Sequence, residues 1–367
     1  MRDASRWARG AARAWIGLLS VAAAIAALPS PAAAQQPAGA APVVIDGPSP
    51  DIVRPSALGL SVARDGTGGL VYLKQVAGVA HVFVSPLVGG SFQTPVQFDA
   101  SLPGASSQPV IAAGNGGLLL VAFINAGGLY VVDRASQAVP FGAPITLARQ
   151  ALNPSISIST FGKAYLAFAG ADGGGYDVRT AYYYDGRWAL EVPPFNAVAA
   201  DDAGTGAGRP EVAIGGDGVV IVVWGEGGHV YSRRVWGTAP SVVEEQADGP
   251  PSGCTESSAG DPVVGVGGDS SYVPVAFEES VTCGGQKESR VLLNRLQGSV
   301  YDGVTEADGL PSASSDGADD PQIAVAEYGS GLLTTARTIS DNVIAGELGT
   351  NSACLLYTSD AADDLTR

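Results

Sequence analysis

The chain has 367 residues and a formal net charge of −16, with 46% hydrophobic and only 15% charged residues. The hydrophobic content excludes a disordered polar chain, because it provides enough apolar surface for a core. The negative charge argues against nucleic acid and anionic membrane surfaces as partners, since their phosphate groups would be repelled.

The first 34 residues have the features of an export signal. The segment 15–28 is apolar but too short to span a bilayer comfortably, and Ala32–Ala34 offers small residues for cleavage before Gln35. The preceding region carries four basic residues, namely Arg2, Arg6, Arg9 and Arg13. We therefore expect a signal peptide over 1–34, a linker over 35–42, and a mature protein that is secreted or periplasmic without membrane insertion.

One pattern recurs six times over residues 43–353. A polar residue precedes proline, an alternating strand follows, and a glycine-rich turn leads into a second strand that is apolar on both faces. A third strand and a weaker fourth segment come after the hairpins. Four strands in a repeat of 45 to 59 residues are typical of β-propeller blades. The sequence therefore predicts an all-β fold with six four-stranded blades, which begin near Pro55, Pro109, Pro154, Pro210, Pro262 and Pro321.

Both ends of the repeat region bear on ring closure. Val43–Ile45 has the shape of the fourth segments, so it is predicted to form the outer strand of the last blade and leave no free sheet edge. Residues 354–364 resemble the translation of a sequencing adapter. We therefore expect 354–367 to be a non-native tail and the natural chain to end near Ala353. Further repeats beyond Ala353 would instead raise the number of blades to seven or eight.

The repeat pattern resembles that of secreted bacterial β-propeller proteins, including the broad sialidase-like superfamily. A sialidase resemblance implies an arginine triad, a Tyr/Glu nucleophile pair, an Asp acid, a Phe-Arg-Ile-Pro motif and repeated Ser-x-Asp-x-Gly-x-x-Trp boxes. Ile52–Pro55 matches the first motif only loosely, and Tyr184–Trp188 has the residue types of the box at a different spacing. The resemblance therefore predicts architecture and does not extend to sialidase activity.

The residue before each repeat proline is the main candidate for ligand binding. In a propeller this position lies at the start of an innermost strand, so the six side chains would surround the mouth of the central channel. Two arginines and two aspartates in such a ring favour a polar or anionic ligand. The alternative is that these residue types suit an extended position before proline. The ring consists of Arg54, Gln108, Asn153, Arg209, Asp261 and Asp320.

Two cysteines remain when the tail is set aside. Cys254 lies in the connector before Pro262, and Cys283 lies in the loop between the second and third strands of the same blade. These loops share one face of a propeller, and an even pair in an exported protein favours a disulfide. Closing a loop of about 30 residues would stabilise the fold by roughly 3–4 kcal/mol.

No metal or other cofactor is predicted. His81 and His229 lie on third strands of different blades, and no His/Cys cluster has zinc spacing. The acidic loops 201–204 and 316–320 leave Ca²⁺ as an alternative, but neither matches a full calcium loop. No nucleophile elbow is present.

The sequence thus favours an exported, monomeric binding or interaction scaffold without a recognised catalytic residue. Its partner would be a polar or glycan-type ligand, or a protein of the cell envelope. The alternative is a carbohydrate-active hydrolase or lyase of sialidase-like type that uses carboxylates at the channel mouth. Such an enzyme would need two carboxylates facing each other at about 5–10 Å in a deep pocket.

Overall fold

The computed structural model describes residues 42–53, 58–191, 194–197, 202–237, 239–241, 244–310, 314, 316–339 and 343–348. The expected signal peptide and tail, together with Arg54 and Pro55, lie outside these residues. In the described part of the chain, no helix is both long and apolar enough to cross a lipid bilayer.

The described residues form six antiparallel sheets, and each sheet contains only strands that follow one another in sequence. The first sheet comprises β1 (Gly59–Val62), β2 (Gly68–Val76), β3 (Val79–Val88), β4 (Ser91–Phe92) and β5 (Val96–Gln97). The second comprises β6 (Ser106–Gly114), β7 (Leu118–Asn125), β8 (Gly128–Arg134) and β9 (Ile145–Ala148). The third comprises β10 (Ala151–Ile158), β11 (Ala164–Asp172), β12 (Gly175–Tyr184) and β13 (Arg187–Leu190).

The remaining three sheets repeat the same order. The fourth comprises β14 (Glu211–Ile214), β15 (Val220–Glu226), β16 (His229–Trp236), β17 (Ala239–Pro240) and β18 (Glu245–Gln246). The fifth comprises β19 (Cys254–Val264), β20 (Tyr272–Cys283), β21 (Gln286–Gln297), β22 (Val300–Tyr301) and β23 (Thr305–Glu306). The sixth comprises β24 (Ala318–Val325), β25 (Gly331–Arg337) and β26 (Val343–Leu348). Two short 3₁₀ turns lie at Asn115–Gly117 and Gly206–Gly208.

Successive sheets pack face to face, which explains the apolar second strands. On β7, Phe123 belongs to a core shared with the first sheet, while its neighbour Ile124 belongs to a core shared with the third sheet. On β15, Trp224 packs toward the third sheet and Val223 toward the fifth. Because successive strand residues point to opposite faces, a strand enclosed on both sides must be apolar at every position. The prediction of strands enclosed between neighbouring sheets is therefore confirmed.

The predicted closing strand is not confirmed. Val43 and Val44 are 79% and 75% exposed and belong to no strand, and the described sixth sheet contains only three strands. The segment that follows lies against the first sheet instead, because the Val53 N–H donates to the Leu73 carbonyl at 2.9 Å. Ile52 is also paired with Lys74, so this segment runs beside β2 in line with β1. In the second sheet, the residues before the proline likewise run beside the second strand.

One salt bridge joins the first and sixth sheets, and one disulfide lies within the fifth sheet. Arg64, in the turn between β1 and β2, forms a 3.1 Å salt bridge with Glu327, in the turn between β24 and β25. The first and sixth sheets are therefore adjacent at these turns. The predicted disulfide is confirmed, since Cys254 and Cys283 are bonded and face each other across the β19–β20 ladder.

Candidate functional site

The first strands of all six sheets meet around one cavity of about 610 Å³. Each sheet contributes lining residues from its first strand, which is the strand predicted to be innermost. In five sheets the lining includes the residue directly after the repeat proline, so this position faces the cavity. In sheet order, the lining includes Gly59, Val110, Ser155, Glu211, Val263 and Gln322.

Part of the predicted ring lies at this cavity. Gln108, Asn153 and Arg209 line it, whereas Arg54 lies outside the described residues. The Gln108 side-chain amide donates to Asn153 Oδ1 at 3.1 Å, and the Asn153 backbone N–H donates to Gln108 Oε1 at 2.8 Å. The Asn153 amide also donates to the Gly204 carbonyl at 3.0 Å. These bonds connect the second and third sheets and fix two amide groups at the edge of the cavity.

The charged members of the ring lie toward the fourth, fifth and sixth sheets. Asp261 lines a neighbouring hollow and not the cavity itself. Burial raises the pKa of Asp261, the positive charge of Arg209 opposes this rise, and the negative charge of Asp320 adds to it. These three side chains are therefore close enough for their charges to interact. We call the five described members the rim residues: Gln108, Asn153, Arg209, Asp261 and Asp320.

The alternative to ligand binding assumed an extended backbone at the residue before each proline. Four of the rim residues have a different conformation. Gln108, Asn153, Asp261 and Asp320 have φ values between 45° and 54°, which is the left-handed region. Each coincides with a shift of strand register beside its proline. Proline has no N–H to donate, so a bulge at this place costs no ladder hydrogen bond. Asparagine and aspartate tolerate the left-handed conformation better than most residues.

Glu211 is a cavity residue that the sequence prediction missed. Burial raises its pKa to about 7, against the opposing effects of Arg209 and the backbone N–H of Val264. The other repeats carry valine, serine or glutamine at the corresponding position after proline, so an alignment of the repeats could have identified it. Glu211 is the single carboxylate among the described residues that line the cavity. The pair of acids that the hydrolase alternative requires is therefore not found in this lining.

A second cluster lies between the fourth and fifth sheets. His229 Nδ1 is 2.8 Å from Asp248 Oδ2 and 3.1 Å from Glu256 Oε1. One ligand atom from each residue lies within 4.8 Å of the other two. The sequence prediction recognised no metal-binding spacing because these residues come from three separate segments of the chain. A group of one imidazole and two carboxylates has the chemistry of a divalent-cation site.

Asp248 also belongs to a structural motif that recurs in four sheets. An Asp or Asn of the connector after the outer strand accepts the backbone N–H of a valine on the third strand. The pairs are Asp99 with Val82, Asn196 with Val178, Asp248 with Val230, and Asp308 with Val291, at 2.9 to 3.1 Å. We call these four residues the connector residues. The repeated Asp in the segments after the fourth strand was a signal that could have identified them.

No protein-family model and no curated protein matches the sequence. Among solved structures, a protein of unknown function from Dyadobacter fermentans is 12% identical with a TM-score of 0.44, and the match covers 82% of this chain and 99% of that one. A Hadza microbial sialidase is 12% identical with a TM-score of 0.42, covering 76% of this chain and 62% of that one. TolB from Acinetobacter baumannii is 12% identical with a TM-score of 0.38, covering 76% of this chain and 63% of that one. The all-β, antiparallel architecture of the described residues is seen in their own six sheets.

Proposed function

We propose that this chain is a six-bladed β-propeller that acts as a binding scaffold outside the cytoplasm and takes a neutral, glycan-type ligand at the rim residues. The observation that carries the proposal is the cavity lined by the first strands of all six sheets. The face-to-face packing of successive sheets and the Arg64–Glu327 salt bridge support a ring. The disulfide supports an oxidising compartment.

The charge balance at the rim favours a neutral ligand over an anion. Arg209 interacts with the half-buried carboxyl groups of Glu211 and Asp261, so its positive charge is already opposed by acidic groups. The side-chain amides of Gln108 and Asn153 provide neutral donors and acceptors at fixed positions. Convergent polar groups over a partly apolar cavity are typical of small-molecule sites. Hydroxyl groups of a sugar can both donate to and accept from such groups.

A glycan array probed with the full chain tests this proposal, followed by titration calorimetry on the glycans that bind. We expect a neutral glycan to bind, and we expect Asn153→Gly to weaken that binding about five- to thirtyfold, since a lost hydrogen bond of this kind costs about 1–2 kcal/mol. Glycine removes the amide and retains the left-handed backbone. Phe161→Ser is the matched control, because Phe161 is 82% exposed at the opposite end of the β10–β11 hairpin. Failure to bind any glycan, or full affinity in Asn153→Gly, would overturn the proposal.

The hydrolase or lyase alternative has one supporting observation, which is the raised pKa of Glu211 at the cavity wall. A carboxyl group that titrates near neutral pH matches the requirement of a general acid. Mass spectrometry of the bound glycans after incubation distinguishes the two functions. Cleavage that is lost in Glu211→Gln would favour the enzyme, whereas intact glycans would favour the scaffold.

A further inference from the structure

The cluster of His229, Asp248 and Glu256 has an additional acidic neighbour. Glu279, on β20, is completely buried, and neither of its carboxylate oxygens has a well-formed hydrogen bond. Glu279 lies two residues from Val281, which pairs with Glu256 across the β19–β20 ladder. A buried carboxyl group without a hydrogen-bond partner is costly, so its presence beside the cluster is not explained by the fold.

In the fifth sheet, an arginine takes the position of His229 and balances the charges of the neighbouring acids. There Arg290 occupies the place of His229, and its guanidinium lies 2.8 Å from Asp308, 3.3 Å from Glu288 and 3.2 Å from Glu306. Arginine is permanently charged, so these acids are satisfied without another cation. Arg290 is opposite Glu279 across the β20–β21 ladder, yet its guanidinium is directed to Asp308.

The first sheet provides the simpler case. His81 Nδ1 lies 3.1 Å from Asp99, which is fully buried. In the described residues no further acid forms a salt bridge with this histidine. One imidazole and one carboxylate balance each other when the imidazole is protonated. Between the fourth and fifth sheets, His229 lies within 3.1 Å of two carboxylates, and among the described residues no lysine or arginine forms a salt bridge with them.

We propose that His229 Nδ1, Asp248 and Glu256 bind a divalent cation of the zinc class. The ligand atoms of a tetrahedral zinc site lie about 3.4 Å apart. The distances of 2.8 and 3.1 Å from His229 Nδ1 to the two carboxylates need to lengthen by only a few tenths of an ångström. The imidazole selects zinc-type ions over Ca²⁺, which prefers oxygen ligands alone. The side chain of His229 is 43% exposed, so an ion can reach it from solvent.

Equilibrium dialysis of the untagged, chelator-treated full chain against micromolar Zn²⁺ tests the site. The chain has only two histidines, which limits adventitious binding. We expect one bound Zn²⁺ per chain, loss of binding in His229→Gln, and an affinity at least about tenfold lower in Glu256→Gln. His81→Gln is the matched control, since it changes the equivalent position of the first sheet and should leave Zn²⁺ binding unchanged. Ca²⁺ at the same concentration should not bind at this site.

Absence of bound Zn²⁺, or unchanged binding in Glu256→Gln, would overturn the proposal. Circular dichroism of each variant shows whether it folds. The Glu256 carboxylate accepts no backbone N–H among the described hydrogen bonds, so its replacement tests the site even if His229→Gln fails to fold. Absorption of the Co²⁺-substituted protein provides a second readout, because a tetrahedral site gives a stronger visible band than hydrated Co²⁺. A spectrum identical to that of free Co²⁺ would likewise reject the site.

Discussion

Replacing Glu211 by glutamine tests whether the cavity wall holds a carboxyl group that burial keeps protonated. The pKa of Glu211 rises from its ordinary value of 4.5 to about 7, chiefly through burial. Each pKa unit corresponds to about 1.4 kcal/mol, so the ionised side chain costs the folded state about 3 kcal/mol. Below pH 4.5 the folded and unfolded chains are both protonated and no cost arises. Between pH 4.5 and 7 the unfolded chain loses the proton first, so stability falls as the pH rises.

Glutamine cannot ionise, so Glu211→Gln should remove this loss of stability. In urea unfolding at pH 4, the variant and the unsubstituted protein should be nearly equally stable. At pH 8 the variant should be more stable by about 3 kcal/mol. Asp185→Asn, at an exposed turn, is the control and should show no such pH-dependent difference. A variant that is less stable at pH 8 would refute the reasoning, because it would show that an ion pair with Arg209 outweighs the cost of burial.

Three further variants test the fold. Replacing Cys254 and Cys283 by serine should lower the free energy of unfolding by about 3–4 kcal/mol, because the disulfide closes a sequence separation of 29 residues; equal stability of the variant and the oxidised protein in urea would contradict this. Ala77→Asn should raise the thermal midpoint by an amount equivalent to about 1 kcal/mol, since Ala77 is exposed with φ at 53° and asparagine tolerates that conformation; a lower midpoint would show that strain is absent there. Asp308→Ala should cost about 3–5 kcal/mol in urea unfolding, because it leaves the buried guanidinium of Arg290 without its main partner. A cost below about 1 kcal/mol would mean that Glu288 and Glu306 are sufficient to balance that charge.

The sequence predicted the features that each repeat expresses locally. An apolar second strand such as Leu118–Asn125 directly reflects packing on both faces, so the stacking of sheets could be inferred. The disulfide followed from the positions of two cysteines within one repeat. That Val43–Ile45 joins no strand could not be inferred in the same way, because a short apolar segment does not specify whether or where it pairs.

The candidate sites were predicted less completely because they depend on contacts between repeats. The rim positions followed from the location of the prolines, but their left-handed backbone did not, since the residue before proline is usually extended. Glu211 was missed although its position in the repeat is fixed. The cluster around His229 was missed because Asp248 approaches it from the connector after the fourth sheet and Glu256 from β19 of the fifth sheet. The spacing of these three residues in the sequence does not show that they lie close together in the fold.

The repeats make each copy a control for the others, and this separates structural from functional acids. The connector residues Asp99, Asp248 and Asp308 all accept a backbone N–H from the third strand, so their presence is explained by the fold. Glu256 and Glu279, on β19 and β20 of the fifth sheet, have no such role in the described hydrogen bonds, and the fourth sheet beside them has His229 where their own sheet has Arg290. A buried acid without a cation of its own is unexplained by folding, because it lowers stability and supports no strand. Only the fourth repeat carries an acid directly after its proline, and burial raises the pKa of this Glu211 despite the opposing charge of Arg209. The cluster around His229 and the cavity wall at Glu211 are therefore the two places where ligands should be sought first.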